Sequence, residues 1–220
     1  MESLKEFVDI LLHLDAHLNE WIGMVGHGFY LLMFLVIFCE TGLVVMPFLP
    51  GDSLLFALGA MTAVENAVLS LPLLCVLLAA AGILGDAVNY AAGRTIGPRV
   101  FKSETSRLLN KLHLLRAQAF FTRHGGKAII LARFAPIVRT FVPFVAGIGR
   151  MNYPRFALFN VTGGIAWVTG FLVAGHTFGN IPTVKRNFHI VIIGIVVVSC
   201  IPIVVEFLRA RASPKAPSAS

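Results

Sequence analysis

The sequence predicts an all-α integral membrane protein. It is read as an inverted repeat of two re-entrant helical hairpins, each followed by a transmembrane helix, with a C-terminal transmembrane helix and amphipathic interfacial helices. Three observations predict this. Of the 220 residues, 57% are apolar and only 13% charged, about half the roughly 25% charge of a soluble domain, which leaves too little polar surface to coat a globule in water. Several apolar runs reach the about 20 residues that a helix needs to cross roughly 30 Å of hydrocarbon. Two further apolar segments are interrupted by both charge and proline, and the order of broken segment then span occurs twice. The same composition excludes intrinsic disorder and a fibre, and three Cys are too few for a disulfide scaffold.

The elements follow in order. Residues 1–22 place Leu4, Phe7, Leu11, Leu14, Leu18 and Trp21 at helical spacing, with Glu6, Asp9, Asp15 and Glu20 elsewhere on the wheel. This reads as an amphipathic helix in the interface, and its acidity fits the non-cytoplasmic side. Charges run through the place where a signal peptide has its apolar core, which excludes that reading. Residues 25–65 form the first re-entrant region, with Glu40, Asp52, Pro47 and Pro50. Proline removes a backbone donor and breaks a helix interior, and in lipid such backbone survives only under protein or beside a wet cavity. Residues 66–93 form the first span, free of Asp, Glu, Lys and Arg from Asn66 to Gly85.

Residues 94–127 carry eight Lys and Arg against Glu104 alone, which equals the net charge of +7 of the whole chain. So short a basic loop is expected on the cytoplasmic side, lying on anionic headgroups. Leu108, Leu112, Leu115 and Ala119 repeat at helical spacing within it, between a Ser103 cap and Gly125-Gly126. Nothing in it resembles a nucleic-acid module, so no nucleic acid is expected as a partner. Residues 128–150 form the second re-entrant hairpin, with Arg133, Arg139, Pro136 and Pro143. Spans follow at 156–182 and 187–208; Phe156–Val184 and Asn187–Val205 hold no Asp, Glu, Lys or Arg, with His176 and His189 within them, and residues 209–220 are a Pro/Ser/Ala tail expected to be disordered. Arg209, Arg211 and Lys215 place that tail in the cytoplasm. Two spans between two cytoplasmic basic segments return the chain only if the second hairpin does not cross. By that count the hairpins open to opposite sides, and the whole chain is one membrane domain.

An ionisable side chain at membrane depth costs a few kcal/mol on insertion scales and marks a functional candidate. Glu40, Asp52, Asp86, Arg133 and Arg139 qualify. The first hairpin supplies acids and the second arginines, so hairpins that meet would set two acids against two bases. Arginine holds phosphate or carboxylate in a bidentate fork and keeps its charge when buried. A carboxylate beside it feels the opposing pulls of desolvation and positive charge, and is suited to exchange protons. Arg133 and Arg139 are therefore candidates to bind a phosphate headgroup, and Glu40 and Asp52 to couple protons. The competing reading is structural: paired charges that fix the register of the hairpins. Asp86 is expected to cap the cytoplasmic end of its span or to pair with Arg94, in a supporting role.

Other chemistry is not indicated. The seven His show no ligand spacing and Cys39, Cys75 and Cys200 are scattered, so neither a metal nor a cofactor is expected. Asn160-Val161-Thr162 matches a glycosylation sequon but falls inside a span. No nucleophile elbow, phosphate loop or dinucleotide fingerprint is present, and an enzyme is not expected.

Glu40-Thr41, Pro47-Phe48-Leu49-Pro50-Gly51-Asp52-Ser53-Leu54-Leu55, Gly85-Asp86, Tyr90 and Gly93-Arg94, with Arg133-Phe134-Ala135-Pro136, Arg139-Thr140, Pro143, Ala146-Gly147, Met151, Phe156, Asn160 and Trp167, resemble the DedA family of the SNARE-associated Golgi, or VTT-domain, superfamily. The resemblance covers roughly residues 25–205. It implies a multi-pass protein of the bacterial inner membrane with two opposed re-entrant hairpins, which moves lipid between leaflets in dependence on the proton motive force. Undecaprenyl phosphate and phosphatidylethanolamine are the implied lipids, and the family's essential acids and arginines align with Glu40, Asp52, Arg133 and Arg139. The expected function is thus a lipid flippase or scramblase, with membrane lipids and protons as partners and homo-oligomer formation left open. Two alternatives stand beside it: a proton-coupled antiporter of small ions or drugs, and a membrane scaffold that transports nothing.

Overall fold

The computed structural model describes residues 14–26, 28–43, 51–64, 67–100, 126–133, 136–179, 181–187, 190–191 and 194–195. The tips of both expected hairpins, with Pro47, Pro50, Phe134 and Ala135, lie outside these residues. So do residues 1–13 of the amphipathic stretch, the basic loop over 101–125, most of the span expected at 187–208, and the tail. Among the described residues every regular element is a helix: α1 (Leu14–Val25), α2 (Gly28–Gly42), α3 (Gly51–Met61), α4 (Leu71–Val100), α5 (Lys127–Ala132), α6 (Pro136–Ile148), α7 (Tyr153–Phe178) and α8 (Pro182–Arg186).

Local sequence sets the helix bounds. α4 starts with Pro72 at its second position, where the missing donor has no partner to lose. It runs beyond Arg94, whose side chain is exposed, to Val100. Asn152 caps α7, its side-chain oxygen accepting the Arg155 N–H at 3.4 Å. Of the prolines in the second broken segment, Pro136 opens α6 and Pro143 lies inside it. Pro143 removes the donor that the Arg139 carbonyl would receive. One residue along, the Asn89 side chain donates to the Thr140 carbonyl at 2.6 Å, tying this stretch of α6 to α4.

Two helices are long and apolar enough to cross a membrane, Leu71–Ile96 and Tyr153–Phe178, at 26 residues each. At 1.5 Å per residue each extends about 39 Å, more than the hydrocarbon thickness. The sequence of two shorter helices followed by a long one occurs twice, as α2–α3–α4 and α5–α6–α7. The first helix of each set packs on its own long helix, α2 on α4 and α5 on α7. The second packs on the long helix of the other set, α3 on α7 and α6 on α4, and the long helices also touch each other.

Lipid tails are as apolar as leucine, so helices in a membrane associate through close van der Waals contact and small residues. Glycines supply that contact here. Gly59 of α3 faces the Leu172 carbonyl of α7, and Gly175 of α7 faces the Phe56 carbonyl of α3. Gly147 of α6 faces the Tyr90 carbonyl of α4, and Gly93 of α4 faces the Phe144 carbonyl of α6. A Cβ at any of the four would overlap the facing oxygen. The two crossed interfaces therefore use one reciprocal glycine packing. Inside them lies an apolar core of Phe29, Met33, Leu55, Leu58, Leu78 and Leu172, with a smaller cluster of Tyr90, Ile129, Ala146 and Phe156.

Candidate functional site: a buried charge cluster

The breaks between the shorter helices place charge in the centre of this packing. Glu40 stands near the end of α2 and Asp52 in the first turn of α3, where a helix N-terminus favours negative charge. Gly51 connects them: its N–H donates to Glu40 Oε1 at 3.2 Å, and a Cβ there would collide with the Glu40 carboxylate. Arg139 stands at the end of the first turn of α6, where the helix dipole disfavours a cation. It is held by the two acids. Nη1 donates to Asp52 Oδ1 at 2.7 Å, and Nη2 donates to Glu40 Oε1. Trp167 of α7 completes the group, its indole N–H bonding Asp52 Oδ1 at 2.8 Å while the Arg139 guanidinium lies 4.7 Å from its ring centroid.

Arg133 follows α5 and enters a slot beside Gly82, Gly163 and Gly164, whose missing side chains give the guanidinium its room. Its Nη2 donates to Asp86 Oδ2 at 2.5 Å and to the Asn160 side-chain oxygen. Asn160 is oriented in turn by its own donation to the Ile83 carbonyl at 3.0 Å. Arg133 also approaches Trp167, at 5.9 Å from the ring. Asn89 bonds the Thr41 carbonyl at 3.2 Å as well as that of Thr140, tying α2 and α6 to α4 at the same level.

All five ionisable groups are buried: Glu40, Asp52, Asp86, Arg133 and Arg139. The four residues expected to act, two acids and two arginines, are brought together. Asp86 belongs with them, because it pairs with Arg133 and not with Arg94. Arg94 lies eight residues along α4, about 12 Å away, and donates instead to the Tyr90 hydroxyl at 3.1 Å. The cluster thus holds three carboxylates and two guanidiniums, so it carries one surplus negative charge when all five are ionised and is neutral with one proton added. Glu40 Oε2, Arg133 Nε and Arg139 Nε have no hydrogen-bond partner among the described residues. In the sequence, Asn160 and Trp167 stand only among the motif residues of the family resemblance, Asn160 also in the discounted sequon, and Asn89 carries no assigned role; none of the three is expected there to hold the charge cluster. The signal for Asn160 was an amide well inside a stretch free of Asp, Glu, Lys and Arg, which in an apolar medium demands a partner.

A VTT domain family model matches residues 49–177, a stretch that contains Asp52, Asp86, Arg133, Arg139, Asn160 and Trp167. Protein DedA of Escherichia coli is 48% identical over 209 residues, covering 95% of each chain. The chain belongs to the DedA family. An uncharacterised membrane protein of Mycobacterium tuberculosis is 42% identical over 216 residues, 98% of this chain and 92% of the other. Inner membrane protein YqjA of Escherichia coli is 34% identical over 183 residues, 83% of this chain and 81% of the other. No solved structure matches. Membership in the DedA family agrees with the resemblance carried by the sequence motifs, and the chain is a membrane protein of that family.

Proposed function

We propose that this DedA-family chain is a multi-pass bacterial inner-membrane transporter that moves the phosphate headgroup of a lipid between leaflets, coupled to protons. A polyprenyl phosphate such as undecaprenyl phosphate is the preferred cargo and a phospholipid such as phosphatidylethanolamine the second choice. The observation that carries the reading is the Arg139 guanidinium, forked between Glu40 and Asp52 in the buried centre of the helices. A phosphate presents the same oxygen geometry to that fork as the two carboxylates do. An arriving headgroup would exchange with the acids for the arginines, and a proton taken up by the three-acid, two-base cluster would release an acid from its partner. The helix pairs α2–α3 and α5–α6 would be re-entrant hairpins of an inverted repeat; their crossed packing with matching glycine pairs supports this. The acyl chains would remain in lipid while the headgroup passes the hairpin tips.

The test is leaflet exchange of labelled phospholipid and polyprenyl phosphate by the full-length protein in liposomes. Arg139→Lys keeps the charge and loses the fork; it is expected to remain folded by size-exclusion chromatography and to lose exchange. A folded Arg139→Ala protein that still moves either lipid would sink the headgroup role. Glu40→Gln is expected to remove the dependence of exchange on a pH gradient, and unchanged dependence would exclude coupling through that acid. The scaffold reading is favoured by one observation, that the three carboxylates and two arginines are already paired with one another. It predicts no exchange of any lipid by the unaltered protein.

A further inference from the structure

At one end of the bundle a residue holds a backbone conformation that its side chain disfavours. α6 closes with the Arg150 N–H on the Gly147 carbonyl and the Met151 N–H on the Ala146 carbonyl, both at 3.0 Å. Arg150 occupies the left-handed position of this closure, with φ of 52°. Glycine usually fills it because a Cβ is strained there. Gly149 stands one position too early to relieve the strain. What Arg150 supplies at this point is therefore its side chain, which is exposed.

Two more exposed arginines lie near this turn, Arg94 in space and Arg155 in sequence. The Arg94 backbone nitrogen approaches Gly147 from α4, and its guanidinium donates to the Tyr90 hydroxyl at 3.1 Å; that hydroxyl donates to the carbonyl of Met151, next to Arg150. Arg155 stands in the first turn of α7, two residues from Tyr153, which is 48% exposed and tilts against Tyr90 at 5.6 Å between ring centroids. Among the described residues none of the three arginines is paired with a carboxylate. The outward apolar faces of both long helices run to this level, with Ile96 of α4 exposed just past Arg94. On α4, Leu73, Val76, Leu84 and Val88 face outward before Arg94 is reached, over a rise of about 23 Å. On α7 the exposed apolar residues reach Leu158 before Arg155.

We propose that Arg94, Arg150 and Arg155, with Tyr153, form a surface headgroup site for an anionic phospholipid of the adjacent leaflet. Guanidiniums fork a phosphate, an aromatic hydroxyl suits the membrane–water interface, and the end of an apolar belt is the depth at which lipid phosphates lie. The acyl chains would follow Val88 and Leu158. This site lies about 12 Å along α4 from Asp86 and does not rest on the transport reading.

Full-length protein in detergent micelles is titrated with dioctanoyl phosphatidylglycerol, dioctanoyl phosphatidylcholine or inorganic phosphate, and binding is read as a ligand-dependent rise in Tm. Phosphatidylglycerol is expected to bind more tightly than phosphatidylcholine, with no saturable shift from inorganic phosphate. Arg150→Gly is expected to keep or raise the lipid-free Tm while weakening phosphatidylglycerol roughly fivefold, and Arg94→Gln with Arg150→Gly roughly 25-fold. Arg150→Lys is expected to retain most of the binding. Unweakened phosphatidylglycerol binding in Arg150→Gly would overturn the site, and so would a shift from inorganic phosphate equal to that from the lipid. The readout requires no crossing of the membrane, so its failure leaves the transport reading standing, and a failure of exchange leaves this site standing.

Discussion

Trp167 donates its indole N–H to Asp52 Oδ1 at 2.8 Å. The same oxygen accepts Arg139 Nη1 at 2.7 Å, and the Trp167 ring lies under that guanidinium. One side chain of α7 thus holds an acid of α3 and a base of α6 in register. Its effect has two separable parts, a packed ring and a hydrogen bond.

Trp167→Phe removes the donor and part of the fused ring while keeping an aromatic face. Interhelical hydrogen bonds in membranes average about 0.6 kcal/mol and reach about 1.7, so the variant is expected to lose at least an amount in that range, with a smaller cavity term added. Trp167 is fully buried, and Trp167→Ala, which also opens a cavity, should cost about 3–5 kcal/mol. Unfolding of the purified protein in mixed micelles measures both. Equal losses would mean that the hydrogen bond outweighs the packing.

The Asp86–Arg133 pair separates a coupled pair from two independent residues. Removing one partner strands a buried charge, and Asp86→Leu or Arg133→Met alone is expected to cost about 3–5 kcal/mol. The double variant removes both charges and should lie closer to the unaltered protein than either single change. A double-mutant cycle in the same unfolding assay checks this. Losses that simply add would exclude coupling between the two side chains.

How much of this cluster was legible follows from the kind of signal each residue leaves. Glu40, Asp52, Arg133 and Arg139 stand out in the sequence because each violates the composition of the apolar segment around it. Their convergence could be anticipated from opposite charge on two broken segments. The partner of Asp86 could not, because Arg94 lies nearby in sequence whereas Arg133 is 47 residues away and is brought in by the packing of α5 and α7. Asn160 looked like an inert sequon for the same reason: its meaning depends on a guanidinium contributed by another helix. The glycines were visible as residues but not as reciprocal contacts, since which carbonyl each faces is decided by how the helices cross.

Those glycine contacts predict opposite outcomes for one chemical change. Gly59→Ala and Gly147→Ala each drive a methyl into a facing carbonyl and are expected to cost about 1–3 kcal/mol or more as helices are pushed apart. Gly170, on the exposed side of α7, has nothing within 4 Å of an added Cβ. Gly170→Ala is expected to stabilise by about 0.4–1 kcal/mol, through the lower entropy of the unfolded chain. A loss at Gly170 equal to that at Gly59 would mean that helix propensity, and not close approach, governs these positions.

Asn89 gives the sharpest test of how the two halves are joined. Its amide nitrogen bridges the Thr41 carbonyl of α2 and the Thr140 carbonyl of α6, so one buried side chain satisfies acceptors from both halves of the chain. Asn89→Leu is close in volume but leaves both carbonyls without that donor; two bonds at about 0.6 kcal/mol each give an expected loss of about 1.2 kcal/mol. Asn89→Asp has nearly the same shape and should be worse, because an ionised carboxylate only accepts. It would face two carbonyl oxygens and add a fourth acid near a cluster that already has three carboxylates to two guanidiniums. The order expected in unfolding experiments at neutral pH is therefore Asn above Leu above Asp. Asp equal to Asn would mean that the nitrogen is not the atom that joins α2 and α6.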